Sequence, residues 1–308
     1  MIRRSLPTRA PGEAPSRTGA AERCYPYVTV LPVLLVVALF TVYPLLYSAH
    51  LSVHENVLTR PLDNDFIGLQ NFREVVTGYY FWRSLWSTAV FASMAVLAVT
   101  LYGLGTALLL NQGVLGGALL NLVVLLPWAI PAVISGIMWR WIFDGDYGVL
   151  NGLLLVTGVV SRYVPWMSQT LTARLCMVVA HVWKQGPLAA VFLVAALQVI
   201  PPALYDAAHI DGAGRWTAFR YLTLPYLKPT LALVLIYETI VAIATFDLVY
   251  VMTGGGPADA TAIIGWYAYT EIFRFLDLGH GAALALILGV LLLGLVMVYL
   301  RAFRSEEA

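Results

Sequence analysis

Three ionisable side chains, Lys184, Glu238 and Asp247, sit inside stretches otherwise apolar enough to lie in hydrocarbon. Such a group costs several kcal/mol there unless it faces a cavity or a partner, so each is a candidate for chemistry. Lys184 precedes Gly186-Pro187, a pair expected to break the helical ladder and free carbonyls nearby. Glu238 lies at a similar depth in the next apolar stretch, and the two are expected to form a structural ion pair. Asp247 follows Glu238 by nine residues; on one continuous helix that is the opposite face and about 13 Å further along. Phe246, Asp247 and Tyr250 combine rings with hydrogen-bonding atoms, which suits a sugar, whose CH faces stack on aromatics while its hydroxyls need paired acceptors. The other reading is that Asp247 caps or pairs locally within the bundle.

Enzyme chemistry has no comparable support. The chain contains no G-x-x-x-x-G-K-[ST] loop to cradle ATP phosphates, no H-E-x-x-H and no G-x-S-x-G. His50, His54, His181, His209 and His280 are scattered, and Cys24 and Cys176 have neither metal-ligand spacing nor a disulfide framework. No metal site or catalytic residue is expected.

The elements that position these groups follow from composition. Of 308 residues, 60% are hydrophobic and 11% charged, with a mean hydropathy of +0.79, more apolar surface than a soluble domain can hide. The chain is expected to be all-α and polytopic. A net charge of +1 leaves no basic stripe for nucleic acid. Apolar runs of about 20 residues, the length that crosses ~30 Å of hydrocarbon, fall at 28–49, 85–110, 118–141, 175–200, 230–252 and 281–302, predicting six transmembrane helices. Residues 1–24 read as a flexible tail and 25–308 as the membrane domain. The run 149–160, interrupted by Gly152 and Gly158, is too short to cross and is expected at the interface or packed on the bundle.

Arg3, Arg4, Arg9, Arg17 and Arg23 before the first span, Arg215, Arg220 and Lys228 between the fourth and fifth, and Arg301 and Arg304 after the sixth place both termini and the 201–229 loop on the cytoplasmic side. Tyr25, Tyr27, Trp82, Trp86, Trp139, Trp141, Tyr250 and Trp266 fall near predicted span ends, where amphipathic rings favour the headgroup region.

The 201–229 loop is the polar stretch that stands out. Pro201-Pro202 supplies helix-start chemistry, Asp206 an acid in the first turn, Asp211-Gly212 a turn, and Leu224-Pro225 a stop after a second short helix. Two small helices in an L are expected, either facing a partner or lying on the membrane surface. On the opposite side, Gly254-Gly255-Gly256-Pro257 lets the chain leave a helix abruptly, either as a mere stop or as exposed backbone on which an external protein docks.

Asp206-Ala207-Ala208, Gly212 and Leu224-Pro225 resemble the EAA loop of membrane subunits of binding-protein-dependent ABC importers, with Asp206 where that family usually has Glu. The resemblance extends through Ile67-Gly68-Leu69-Gln70-Asn71-Phe72, Leu126-Pro127-Trp128-Ala129-Ile130-Pro131, Trp139-Arg140-Trp141, Tyr147-Gly148-Val149-Leu150-Asn151, Phe246-Asp247 and Thr253-Gly254-Gly255-Gly256-Pro257. In this order the motifs are similar to the carbohydrate-import branch, the MalF/UgpA type.

The resemblance implies a type I ABC importer permease fold. It also implies an ATPase-coupling set of Asp206, Ala207, Ala208, His209, Asp211, Gly212, Arg215, Leu224 and Pro225. It further implies a second permease, commonly distinct, two ATP-binding subunits that carry ATP and Mg, an extracytoplasmic sugar-binding protein, and residence in a bacterial or archaeal plasma membrane. This chain itself would hold no cofactor. The rival reading is a secondary transporter driven by an ion gradient, with Lys184, Glu238 and Asp247 as its relay.

Overall fold

In the computed structural model, residues 20–60, 64–111 and 117–304 are described. The expectations for most of the 1–24 tail, including Arg3, Arg4, Arg9 and Arg17, lie outside them. In chain order the helices are α1 (Ala20–Val37), continued by a π-helical turn (Ala38–Val42) into α2 (Tyr43–Ser52), then α3 (Gln70–Thr77), α4 (Tyr79–Asn111), α5 (Gly117–Ala129), α6 (Ala132–Ile142) and α7 (Val149–Val156). They continue as α8 (Thr170–Gln198), α9 (Pro202–Ile210), α10 (Arg215–Ala218), α11 (Leu224–Ala244), α12 (Asp247–Met252), α13 (Ile264–Tyr269) and α14 (Leu278–Arg304). Among the described residues the only β pairing is two isolated bridges, His54 to Phe66 and Val57 to Asp277, so the all-α expectation holds.

Among the described residues five helical stretches are long and apolar enough to cross a membrane: Thr29–Ser52, Tyr79–Asn111, Thr170–Gln198, Arg215–Ala244 and Leu278–Phe303. The predicted third span differs from expectation. Residues Val123–Ala129 and Ala132–Ile142 meet at 106°, because Pro131 has no N–H to continue the ladder and biases Ile130 away from helical geometry. The pair makes a sixth span only if the two arms are counted together.

The chain forms two units, one up to His50 and one from Leu51 onward. In the first, Val30, Leu34, Phe40 and Leu46 are exposed, as suits a helix solvated by lipid. In the second, α4 and α8 form the principal helix pair. Phe91 and Val96 of α4, Met177 of α8, Ala242 of α11, Val249 of α12 and Ile263 share one buried cluster. Val99, Leu193, Leu227 and Val234 share a second. A third joins α3 and α4 to α14 through Val75, Phe81 and Leu284. Gly186 packs beneath the ring of Tyr102, where a Cβ would collide with it. The expected break at Gly186-Pro187 is absent, and α8 runs through Pro187. Here Gly186 serves close approach of two helices.

The short α7 is held by a buried asparagine. Asn151 donates from Nδ2 to Asp144 O and Val164 O, both at 3.0 Å, and its Oδ1 accepts from Val164 N–H at 3.1 Å and the Trp166 indole N–H at 3.0 Å. One side chain thus satisfies the backbone of the segments before and after the helix.

Candidate functional site

The 201–229 loop begins with α9, whose N1 position is Pro202, where a missing N–H costs nothing. Asp206 is the fifth helical residue, in the second turn, and not in the first turn as expected. Leu204 and Tyr205 pack on the Leu197–Leu227 cluster, and the Tyr205 hydroxyl lies 3.0 Å from Thr223 Oγ1. The other face presents Asp206, Ala207, His209 and Ile210 to the exterior, with Ala208 half-buried. The helix ends in a Schellman motif: Ala213 N–H donates to Ala208 O at 2.9 Å and Gly212 N–H to His209 O at 3.0 Å. This closure needs a left-handed residue, and Gly212 has φ +78.

The expected stop at Leu224-Pro225 is corrected. From Arg215 the chain is helical to Ala244, and a π turn over Phe219–Thr223, closed by Leu224 N–H to Phe219 O, precedes Pro225. The wider turn accommodates the donor that Pro225 lacks. The loop is therefore one free-standing helix, a turn, and the protruding end of a span. Sequence reasoning missed Ile210, Trp216 and Tyr221, which are 85%, 70% and 74% exposed. Large apolar side chains exposed on an otherwise polar loop are candidate contact residues. Their signal was an isoleucine and a tryptophan between charged and small residues.

Inside the bundle the charges are arranged differently from the expected pair. Lys184 Nζ donates to Ile130 O at 2.6 Å and Trp128 O at 3.3 Å, capping carbonyls at the α5–α6 corner. Glu238 is fully buried, and its carboxylate lies 3.4 Å from His181 Nε2 without hydrogen-bond geometry. His181 and Lys184 are three residues apart and share one side of α8. The shorter imidazole meets α11, and the longer ammonium reaches past it to the corner. His181 also presents its ring edge-to-face with Phe91 at 5.5 Å.

Glu238 and Asp247 do not share one helix, so the opposite-face expectation fails with it. The fifth span stops at Ala244, Thr245 is extended (ψ 122), and α12 starts at Asp247. Asp247 Oδ1 accepts Leu248 N–H at 2.9 Å, the local capping contact. It also lines a cavity of about 280 Å³ with His181, Lys184, Gln185 and Thr245. The structure thus brings Asp247 and Lys184 to one cavity.

Phe246 and Tyr250 belong to a larger ring cluster: the Phe246 and Tyr250 centroids lie 4.7 Å and 5.3 Å from that of Tyr269, and Tyr269 lies 5.0 Å from Phe273. Trp266, expected at the membrane interface, is buried against Tyr269 at 5.7 Å, with the Arg274 guanidinium 4.9 Å over its ring. Its seat explains the glycine run: Gly255 is buried with φ +87, and a Cβ there would lie 2.6 Å from the Trp266 indole nitrogen. Gly254 is exposed, Gly256 and Pro257 are half-buried, and Thr261 Oγ1 donates to Gly256 O at 2.6 Å.

A helical chain with five spans long and apolar enough to cross a membrane, an exposed helix–turn at the end of one of them, and a cavity within the bundle that holds Lys184 and Asp247 has the architecture of a membrane transport subunit. The chain belongs to the family of binding-protein-dependent transport system inner membrane components, matched over residues 100–303. It is 38% identical to the trehalose/maltose transport system permease protein MalF of Thermococcus litoralis, over 91% of this chain and 94% of that one. It is 34% identical to the sulfoquinovosyl glycerol transport system permease protein SmoG of Agrobacterium fabrum, over 93% and 92%. A chain of a bacterial alginate ABC transporter, crystallised in complex with an alginate pentasaccharide-bound periplasmic protein, superposes with a TM-score of 0.77 at 21% identity, covering 91% of this chain and 94% of that one. That likeness establishes the fold.

Proposed function

We propose that the chain is one of two permease subunits of an ATP-driven importer and forms, with a second permease, the path for a carbohydrate handed over by an external binding protein. The observation that carries the reading is the exposed α9 and its Gly212 turn, bearing Asp206, Ala207, Ala208, His209, Asp211 and Arg215 at the protruding end of a span. An ion-driven carrier has no use for such a projection. The carbohydrate class is supported by the trehalose/maltose and sulfoquinovosyl glycerol permeases among the relatives.

In this reading, two ATP-binding subunits bind MgATP and close in the cytoplasm. Each receives a coupling helix from one permease. The α9 helix moves with its ATPase, and because Arg215 to Ala244 is one helix that passes through a π turn, motion at the turn is carried into the span along it. The span ends at Ala244, beside the cavity and the Phe246, Asp247 and Tyr250 group that we assign to the substrate path. Alternating access requires two packings of similar energy, so substrate is held weakly. The outer Gly254 to Pro257 segment is the docking site of the external protein. The chain lies in a bacterial or archaeal plasma membrane with both termini cytoplasmic.

The experiment is uptake into vesicles reconstituted with the second permease, the ATPase subunits and the binding protein. ATP-dependent sugar uptake that is unaffected by collapsing proton and sodium gradients is expected. Uptake that runs without ATP and disappears with the gradient refutes the proposal in favour of a secondary transporter.

A further inference from the structure

At the end of α4 and α8 near the Gly254 to Pro257 segment, two arginines share a pocket of about 510 Å³ with Tyr79, Trp82 and Trp86. Arg83 donates to Ala258 O and to the Tyr79 hydroxyl. Arg174 donates from Nε to Ala260 O at 2.9 Å. Among the described residues neither guanidinium forms an ion pair, and the two terminal nitrogens of Arg174 have no protein acceptor. Asp259 acts on Arg83 from a distance as the nearby acid. A guanidinium carries five donors in a fixed fork suited to phosphate. Here two such groups are held in place by backbone carbonyls and left with donors to spare.

The surroundings select the ligand. Trp82 and Trp86 are 57% and 66% exposed, one helical turn apart in the first two turns of a membrane helix, the level at which indoles meet headgroups. The same face of α4 continues through Ala89, Ser93, Leu97 and Leu101, all exposed, a mainly apolar stripe at i, i+3 and i+4 spacing along the span. The charged pocket thus adjoins the top of an exposed apolar stripe, part of which lines a cavity of about 540 Å³ between α4, α11 and α14. A ligand that fits both has an anionic head and an acyl tail.

We propose that Arg83 and Arg174 hold the phosphate of an anionic phospholipid such as phosphatidylglycerol, with its chains along the Trp86 to Leu101 stripe. The lipid fastens α4, α8 and the Ala258 to Ala260 segment together, because each arginine already bonds that segment from its own helix. The inference rests on the membrane placement of the chain and is independent of the transported substrate.

The test is native mass spectrometry of the chain purified with its partner subunits, delipidated, and offered equal phosphatidylglycerol and phosphatidylcholine. The wild-type complex should retain phosphatidylglycerol in clear preference, and Arg174→Gln should lower its retention about fivefold, the contribution of one cation near an anionic surface. Arg174→Lys should recover part of the loss. As a readout that needs no variant, tryptophan quenching by brominated phosphatidylglycerol should saturate at a lower mole fraction than by brominated phosphatidylcholine. Equal retention and equal quenching by the two lipids overturn the proposal. So does displacement of phosphatidylglycerol by millimolar inorganic phosphate, which marks a soluble-anion site. Weakened docking of the external binding protein to Arg174→Gln with lipid retention unchanged also overturns it, assigning the arginines to a protein contact.

Discussion

At the scale of single residues, Lys184 and Glu238 make separate contacts within the bundle. Lys184 closes the α5–α6 corner through Trp128 and Ile130 carbonyls, and Glu238 faces His181. Lys184→Met leaves those carbonyls without a donor and is expected to cost about 1–2 kcal/mol. Glu238→Gln keeps the shape of the buried side chain, so its cost should stay within about 1 kcal/mol, whereas His181→Ala removes the polar group nearest Glu238 and leaves a cavity against Phe91, and should cost about 3 kcal/mol. Thermal unfolding in detergent measures all three. In a double-mutant cycle, Lys184→Met and Glu238→Gln should add within about 0.5 kcal/mol, because they share no contact. A larger coupling energy restores the ion pair.

Among elements, the α9 loop has one position where geometry demands glycine and another where it does not. Gly212 has φ +78 with nothing within 4 Å of a Cβ, so a side chain there meets backbone strain and no clash. Gly212→Val should cost about 1–2 kcal/mol locally and open the turn, lowering uptake while ATP hydrolysis by the assembled complex continues. Gly214 also faces open space but has φ −71, so Gly214→Ala should transport normally; equal effects of the two variants remove the turn from the coupling path. Between α4 and α8, Gly186→Val drives a side chain into the Tyr102 ring and should cost about 1–3 kcal/mol by overpacking, read as a lowered Tm. These elements also mark how far the sequence was legible. Apolar runs near 20 residues located five spans because hydrocarbon thickness sets their length, the run 118–141 being bent instead into two arms, and loop chemistry located α9 and its turn. Prolines misled: Pro187 and Pro225 lie within continuous helices, where neighbouring packing and a π turn absorb the missing donor, while Pro131 does bend the chain. Trp266 misled for a related reason. Its burial depends on Gly255 and Arg274, contacts between segments that a linear reading keeps apart.

For the molecule as a whole, the helix Arg215–Ala244 fixes a relation that no charge count supplies. Thirty helical residues extend about 45 Å, more than the ~30 Å hydrocarbon core. The α9 turn before it and the Gly254 segment after it therefore emerge on opposite faces of the membrane, whichever way the chain inserts. The proposed import cycle requires α9 inside, with the ATPases, and the Gly254 segment outside, with the binding protein. In a chain whose Cys24 and Cys176 are replaced by serine, Ala207→Cys and Asp259→Cys report the two faces, since both positions are exposed. A membrane-impermeant maleimide applied to intact cells should label Asp259→Cys and spare Ala207→Cys; in inverted vesicles the pattern should reverse. Addition of the ATPase subunits to inverted vesicles should then protect Ala207→Cys by covering α9, and leave a cysteine at Arg301, at the other end of α14 from the Gly254 side, open to label. Labelling of Ala207→Cys in intact cells places α9 outside and defeats the coupling role, because an external helix cannot meet a cytoplasmic ATPase. Correct sidedness without protection leaves the topology standing and shifts the ATPase contact off α9.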